Sequence, residues 1–248
     1  MLSAAEEADS RNVDPRTLAI VHSLLGGNYR HLKQYDEAIA EYKKALLLLD
    51  KLGSKETRDY ATALDNMAQV YTYMGNNAEA AKLQESSLAI YEKILPPNSI
   101  DIGMLLANYA MTQNGLGRAD DAEKTMNRGI DIYKTVGPSA EGPLAMAYDN
   151  LGSIYYNVGK FDKSESVRRT ALELFRKHLG PTHPDVSICV ANLANTLASA
   201  GKTDEARQMI KEHAALLKDN KPAWSSFMRQ CSDALEKIQT ASTKQPGD

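Results

Sequence analysis

The chain has 248 residues, of which 43% are hydrophobic and 6% aromatic, and its formal net charge is −3 with an isoelectric point near 6.0. A sizeable core can therefore form, but the surface offers no basic field for nucleic acid or for an anionic membrane. The first residues lack a basic region followed by an apolar run, and no stretch reaches the length of a membrane-spanning segment. We therefore expect a cytoplasmic protein that binds neither nucleic acid nor membrane.

The first fifteen residues precede the regular part of the chain. Asp14-Pro15 stands near the repeat phase of His183-Pro184, a dipeptide at the junction between two predicted repeats. This phase predicts that residues 1–15 are the tail of a preceding helix or a cap on the first repeat.

Residues 16–219 repeat at an interval of 42 residues. The clearest marker is a small side chain that recurs at Ala38, Ala80, Ala122, Ser164 and Ala206. Five residues before each marker, Lys33 stands in the first repeat and a glycine in the others, at Gly75, Gly117, Gly159 and Gly201. A fixed period of this length is typical of repeat architectures, in which neighbouring units stack to bury a continuous core. The phase predicts repeats at about 16–57, 61–102, 103–144, 145–186 and 187–219.

Each repeat is predicted to be a hairpin of two amphipathic helices, which makes the expected fold all-α. Apolar and small residues recur three and four positions apart on both sides of the glycine, and this is the spacing of one helix face. The glycine itself suits the left-handed conformation that often ends a helix. A second small position is expected where the first helix of a hairpin touches the second. Its residues are Gly26, Ala68, Ala110, Gly152 and Ala194.

After the fifth repeat the sequence predicts one more helix, over residues 220–240. Four large side chains recur there at helical spacing, which indicates a capping helix that covers the last repeat. An alternative for the tryptophan among them is that it anchors a partner. Residues 241–248 are expected to be disordered. The four side chains are Trp224, Phe227, Cys231 and Leu235.

A recurrent motif near the repeat boundaries is the most specific feature of the sequence. Residues 179–186 read LGPTHPDV and are followed by NLA at 192–194, and a partial copy, LPPNSIDI at 95–102, precedes NYA at 108–110. Over residues 16–219 this pattern resembles the tetratricopeptide repeat, and its interval of 42 residues is similar to that of kinesin light chains. The resemblance implies a right-handed α–α superhelix of five hairpins with a C-terminal capping helix.

No catalytic or metal site is predicted. The five histidines are scattered without the spacing of metal ligands, and no nucleophile, base and orienting group can be combined. Cys189 and Cys231 are expected to be packed thiols. The basic pair Arg168-Arg169 is expected on a solvated outer face of a helix. We therefore predict a protein that is not an enzyme and that holds no cofactor or metal.

The first helix of each hairpin is expected to supply the binding surface. In the tetratricopeptide family it lines the concave face, so its side chains that avoid the second helix should point into the groove. The expected peptide-binding residues are Asp65, Asn66, Gln69, Tyr73, Asn108, Met111, Asn114, Asp149, Asn150, Ser153, Tyr156, Asn157, Asn192 and Asn195.

Four of these residues form a row of one asparagine per repeat, at Asn66, Asn108, Asn150 and Asn192. A carboxamide both donates and accepts hydrogen bonds, so such a row can bind the backbone of an extended peptide. Asparagine is also a mediocre helix former, which favours a functional reason for its presence. Two alternatives stay open: each asparagine bonds to a neighbouring helix, or the row was copied by duplication and has no separate meaning.

The charge of the groove narrows the expected ligand. Repeats two to five carry no lysine or arginine at the groove positions, whereas Asp65 and Asp149 are acidic. A clamp for carboxylates needs basic side chains, so none is expected. A neutral or mildly basic segment fits better, and packing against the next repeat is the alternative role for the methionines. The expected apolar contacts come from Met104, Met111, Met146, Tyr73 and Tyr156.

These patterns predict a non-catalytic scaffold or adaptor that binds an extended segment of another protein in its concave groove. The alternative is a self-associating or intramolecular regulatory array that belongs to a larger polypeptide. A monomer or a weak homodimer is expected.

Overall fold

The computed structural model describes residues 14–243, which form twelve α-helices and one 3₁₀ helix and contain no strand. The predicted all-α fold is thereby confirmed. Residues 1–13 and 244–248 lie outside the described part of the chain, and with them lie most of the predicted N-terminal segment and most of the predicted tail.

The described part of the chain divides into two compact units, with the boundary between Thr125 and Met126. The first unit contains five complete helices and the beginning of a sixth. They are α1 (Pro15–His31), α2 (Tyr35–Lys51), α3 (Arg58–Tyr73), α4 (Asn77–Ile94), α5 (Ile100–Gly115) and α6 (Ala119–Val136). Its core includes one cluster around Tyr42 and Met67 and another around Ala45 and Leu49.

The second unit begins within α6 and continues through the 3₁₀ helix Pro138–Ala140. Its helices are α7 (Glu141–Asn157), α8 (Phe161–Leu179), α9 (Pro184–Ser199), α10 (Thr203–Leu216), α11 (Lys221–Gln230) and α12 (Ser232–Thr243). Its core joins buried side chains of α8, α9 and α10 to Phe227, Cys231 and Ile238. The C-terminal helices therefore cover the last hairpin, and Cys189 and Cys231 are buried free thiols as predicted.

The same turn joins the two helices of every hairpin. The residue at the predicted glycine position has a positive φ, between 74° and 81° at the four glycines and 60° at Lys33. The next backbone N–H then donates to a carbonyl five residues back, as from Gln34 to Tyr29 and from Lys160 to Tyr155, both at 2.9 Å. These are the hydrogen bonds of a Schellman motif, which satisfies carbonyls at the helix end.

The second small position lies at the contact that the sequence predicted. A Cβ atom on Gly26 would stand 2.9 Å from the ring of Tyr42, and one on Gly152 would stand 2.6 Å from Cγ of Arg168. Such distances are too short for carbon atoms, so only glycine lets these large side chains of the second helix cross the first. At the other three positions the equivalent alanines are fully buried.

The C-terminal segment differs from the single helix predicted over 220–240. The structure has two helices, with Cys231 between them, and the second begins with Ser232 and Asp233, residue types that favour a helix start. That helix continues to Thr243, three residues into the segment predicted as disordered. Phe227 is fully buried, whereas Trp224 stays 41% exposed beside Lys218 and Lys221, so Phe227 is the main packing residue.

Candidate functional site

The predicted groove residues lie on the first helices α3, α5, α7 and α9, and none belongs to the buried core. Tyr73 and Asn157 are exposed, and the other twelve are half-buried. Half-buried polar side chains are suited to binding because they are positioned by neighbours and can still reach a ligand. The structure brings several of them together in each unit, and the two clusters are described separately.

In the first unit the cluster is centred on Asp65 of α3. Its Oδ2 accepts hydrogen bonds from Nε2 of Gln69 at 3.0 Å and from Nδ2 of Asn108 at 3.2 Å, and its Oδ1 lies 3.5 Å from Nε2 of Gln84. Arg30 of α1 donates to Oε1 of Gln69, so a positive charge stands one amide away from the carboxylate. Three carboxamides therefore hold one carboxylate that has no direct cationic partner in the described chain.

Burial is the main influence on Asp65 and raises its pKa above the ordinary value, although the surrounding amides and Arg30 act in the opposite direction. A carboxylate held in this way keeps its neighbours oriented, because each amide turns its N–H₂ group toward the negative oxygen. The amide oxygens must then point elsewhere.

In the second unit the equivalent cluster is centred on Asp149 of α7, 84 residues later. Its Oδ2 accepts from Nδ2 of Asn192 at 2.8 Å, and its Oδ1 lies 3.4 Å from Nε of Arg168. Burial raises the pKa of Asp149 despite the adjacent guanidinium. The polar residue supplied by the second helix of the hairpin is thus Gln84 in the first unit and Arg168 in the second.

Arg168 contradicts the prediction of a solvated outer face, because it is only 4% exposed. Its Nη1 donates to the backbone oxygen of Asn192 at 2.9 Å and to Oγ1 of Thr196, and its Nη2 donates to Oγ of Ser153 at 3.0 Å. The neighbouring Arg169 does lie at the surface, where it pairs with Glu165 and Glu205. The repeat phase could have predicted the burial of Arg168. This residue stands 42 positions before Ile210 and 84 after Gln84, and both of these are buried.

The row of four asparagines is not uniform. Asn108 and Asn192 each donate to an aspartate 43 residues earlier, which is the alternative of a bond to a neighbouring helix. Within residues 14–243, Asn66 and Asn150 form no hydrogen bond with another side chain. The sequence shows the reason for this difference. The residue 43 positions before Asn66 is Ser23 and the residue 43 positions before Asn150 is Ala107, so neither asparagine has an aspartate at that place.

Two of the expected methionines are exposed. Met104 and Met146 are more than half exposed, so these two side chains are not buried against a neighbouring repeat. Ile188 occupies the same repeat position and is 42% exposed. Met111 differs, because it is half-buried and lines a small pocket with Gln84.

Shallow pockets lie between successive first helices in both units. In the first unit a pocket of about 270 Å³ is lined by Ile20, Leu24 and Asn66 together with Asp59. In the second unit a pocket of about 170 Å³ has equivalent lining residues, shifted by three repeats. They include Met146, Asn150, Asp185 and Ile188. Each pocket therefore combines apolar walls with one half-buried asparagine, and the carboxylates are Asp59 in the first pocket and Asp149 and Asp185 in the second.

Lys237 of α12 reaches the polar residues of the second unit. Its Nζ donates to the hydroxyl of Tyr156 at 2.8 Å and to Oδ1 of Asn195 at 2.5 Å. Although burial opposes it, the contact with Lys237 lowers the pKa of Tyr156. The sequence argument counted only first-helix residues and found no lysine or arginine there, so it missed the two cations, Arg168 and Lys237, that other helices bring to this cluster.

Other functional groups were sought throughout the described chain. Between residues 14 and 243, no group of three or more His, Cys, Asp and Glu side chains is arranged to hold a metal ion. None of the described helices is both long and apolar enough to cross a bilayer.

Comparison with known proteins identifies the family of repeats to which this architecture corresponds. A family profile described as tetratricopeptide repeat matches residues 17–93, 59–135 and 143–219. A search of curated proteins finds no match. Each stretch matched by the profile spans two hairpins, in agreement with the repeat interval.

Solved structures share the fold at low sequence identity. A candidate kinesin light chain of Podosopora anserina with nearly identical TPR-like repeats has a TM-score of 0.72 and 19% identity over 84% of this chain and 98% of its own. A Rap protein complexed with competence and sporulation factor has a TM-score of 0.71 and 17% identity over 96% and 68%. BtubC (BKLC) from P. vanneervenii has a TM-score of 0.67 and 20% identity over 99% and 89%.

Proposed function

Because the chain belongs to the tetratricopeptide repeat family, we propose that it is a non-catalytic scaffold or adaptor that binds an extended segment of a partner protein against its first helices. The family is one of protein-interaction scaffolds, and the proposal specifies the kind of ligand and the residues that contact it. The binding residues are the fourteen predicted groove residues together with the exposed apolar side chains of the same helices.

One observation carries the proposal. On three first helices an exposed apolar residue stands four positions before a half-buried asparagine, in the pairs Met104/Asn108, Met146/Asn150 and Ile188/Asn192. Residues four apart lie one above the other on the same helix face. Each of these helices therefore offers one apolar contact and one carboxamide, which suits a side chain and a backbone group of an extended peptide.

The two kinds of asparagine have different roles in this mechanism. Asp65 fixes the N–H₂ group of Asn108, and Asp149 fixes that of Asn192, so the oxygens of these amides are oriented to accept from a peptide N–H. Asn66 and Asn150 keep both donor and acceptor for the ligand. The Rap protein with a similar fold was solved in complex with competence and sporulation factor, which supports uptake of a second molecule by this kind of fold.

The test uses the wild type and the Asn66→Ala/Asn150→Ala variant as baits in a native lysate. Mass spectrometry then compares the proteins that each bait captures. These two asparagines are the informative ones, because their removal breaks no side-chain hydrogen bond within residues 14–243. We expect a partner to be captured by the wild type and to be depleted about ten-fold or more by the double variant. The matched control is Asn98→Ala, which removes an exposed asparagine from the loop between α4 and α5.

Equal capture by the wild type and by the Asn66→Ala/Asn150→Ala variant would overturn the mechanism. Light scattering on the eluted protein covers the alternative of self-association, since a dimer that grows with concentration and is lost in the double variant would make a second copy the partner.

A further inference from the structure

A small pocket in the first unit contains a buried hydrogen-bond acceptor that lacks a donor. The pocket has a volume of about 150 Å³ and is lined by Gln69, Thr72, Tyr73, Gln84, Asn108 and Met111. Gln84 comes from α4 and is 1% exposed. Its Nε2 faces Oδ1 of Asp65, so the orientation of the amide is fixed, and its Oε1 accepts no hydrogen bond from residues 14–243.

A buried carbonyl oxygen without a donor is unfavourable, and most such groups in proteins are satisfied by a protein or ligand donor or by water. The lining beside Gln84 combines the polar side chains of Asn108 and Thr72 with the larger, less polar ones of Met111 and Tyr73. The pocket therefore fits a flat donor group on an apolar stem.

The second unit shows which group occupies the equivalent position there. At the position equivalent to Gln84, 84 residues later, Arg168 places a guanidinium among Ser153, Asn192 and Thr196, beside Asp149. The equivalent positions in the first unit are Gln69, Asn108, Thr112 and Asp65. The chain thus fills the site with its own guanidinium in the second unit and leaves it open in the first, where the side chain is two atoms shorter.

The packing between the helices explains why the first unit cannot fill the site itself. Arg168 crosses α7 at Gly152, where a Cβ atom would stand 2.6 Å from its Cγ. The first unit has Ala68 at the equivalent position, and that residue is fully buried. An arginine at position 84 would therefore meet the methyl group of Ala68, whereas the shorter glutamine is accommodated.

We infer that the Gln84 pocket takes the guanidinium group of an arginine side chain from the bound segment. This inference rests on the proposed function and specifies one residue of the ligand. The guanidinium donates to Oε1 of Gln84 and to the oxygen of Asn108, and its charge is balanced by Asp65, which has only amide partners. Arg30 donates to Gln69, one of the lining residues, so its charge stands one amide away from Asp65 and makes no direct contact with that carboxylate.

The test titrates the full chain with N-acetylarginine methylamide while amide NMR spectra are recorded. The matched probe is the corresponding citrulline compound, which keeps the shape and loses the positive charge. We expect saturable shifts at residues around Gln84 with the arginine compound and at least ten-fold weaker binding of the citrulline compound. Equal affinities would overturn the inference in favour of a neutral donor, and an absence of saturable shifts would overturn it in favour of a pocket filled by water.

Two variants locate the binding. Gln84→Met removes the acceptor but keeps an unbranched side chain, as at the equivalent Met126, and we expect binding of the arginine compound to weaken at least ten-fold. Ala68→Gly/Gln84→Arg reproduces the Gly152 and Arg168 pair, so we expect it to fold and to lose the binding because its own guanidinium occupies the pocket. Unchanged binding by Gln84→Met would overturn the inference even if the double variant failed to fold.

A failure of the arginine subsite can be distinguished from a failure of the proposed function. If Asn66→Ala/Asn150→Ala loses the lysate partner while Gln84→Met keeps both the partner and the arginine compound, the proposed function stands and the arginine subsite does not.

Discussion

At the scale of single residues, the small side chains of the repeat explain much of the structure. The position represented by Gly26 and Ala68 is glycine where the opposing residue is large, as with Tyr42 and Arg168, and alanine where it is Gln84, Met126 or Ile210. The sequence predicted a close contact there, but it did not explain the choice between glycine and alanine. That choice depends on which side chain of the second helix crosses the first.

Gly152→Ala is expected to destabilise the second unit. The added methyl group forces Arg168 out of its hydrogen bonds with Asn192 and Ser153 and leaves a buried charge poorly paired, so we expect a loss of about 2–4 kcal/mol in the free energy of unfolding. Urea denaturation followed by circular dichroism measures it. Gly142→Ala on the same helix is the control, since its Cβ atom would meet its nearest neighbour at an ordinary 4.0 Å.

The control should be neutral or slightly stabilising, because alanine favours a helix by about 1 kcal/mol over glycine. A similar loss of stability in both variants would contradict the explanation from the Arg168 contact.

Lys33→Gly is expected to stabilise the first unit. Lys33 is the non-glycine residue with a positive φ in the described chain, at 60°, and its four counterparts in the other hairpins are glycines. Relief of this strain, less the extra freedom of glycine in the unfolded chain, should raise the free energy of unfolding by about 0.5–1 kcal/mol. Thermal unfolding measures the change. The reverse substitution at the equivalent turn, Gly75→Lys, should lower stability, and a gain from both substitutions would refute the argument.

At the scale of helices, the C-terminal pair α11 and α12 is bound to the last hairpin by a buried histidine as well as by apolar contacts. His213 of α10 lies edge-on to the ring of Phe227 with 4.7 Å between the centroids, and its Nε2 is 2.9 Å from Oγ of Ser187. Ser187 in turn donates to the backbone oxygen of His183 at 3.4 Å, so Nε2–H of His213 is the donor to Ser187. Nδ1 of His213 is then left buried, and no residue in the range 14–243 offers it a hydrogen bond.

Stability of this segment is expected to fall in mild acid. Burial, and to a lesser extent the charge of Arg176, lowers the pKa of His213 from 6.5 to about 4. The unfolded chain therefore binds a proton between pH 6.5 and pH 4 that the folded chain excludes, and the free energy of unfolding decreases as the pH falls through this range. The expected loss is about 3 kcal/mol from this group.

The single tryptophan, Trp224 on α11, provides the readout for urea denaturation at pH 4.5 to 7.5. His213→Leu should have a flatter pH dependence than the wild type, whereas His31→Gln, at an exposed position on α1, should keep the wild-type slope. The same slope in the wild type and in His213→Leu would show that other groups cause the pH dependence.

At the scale of the whole molecule, the repeated hairpins and turns could be predicted from the sequence, whereas the polar clusters around Asp65 and Asp149 could be predicted only in part. The interval of 42 residues was enough to predict the hairpins and the turns at Gly75 and its equivalents, because these depend on local conformation and on spacing. The cations near the groove residues of the second unit could not be placed, because Arg168 and Lys237 reach them from other helices. The row of asparagines was found, but its division into two kinds depends on a partner 43 residues away.

That division also decides how the array can be shortened or extended by protein engineering. Asp65 and Asp149 are two hairpins apart, and so are their partners Asn108 and Asn192. Excision of a single internal hairpin would break this alternation, because it would leave Asn108 or Asn192 without its aspartate or bring the two aspartates into neighbouring repeats, whereas excision of 84 residues would keep it. The helical hairpin recurs every 42 residues, but the aspartate–asparagine pair recurs every 84. The segment that can be exchanged without changing the polar pattern is therefore two hairpins long.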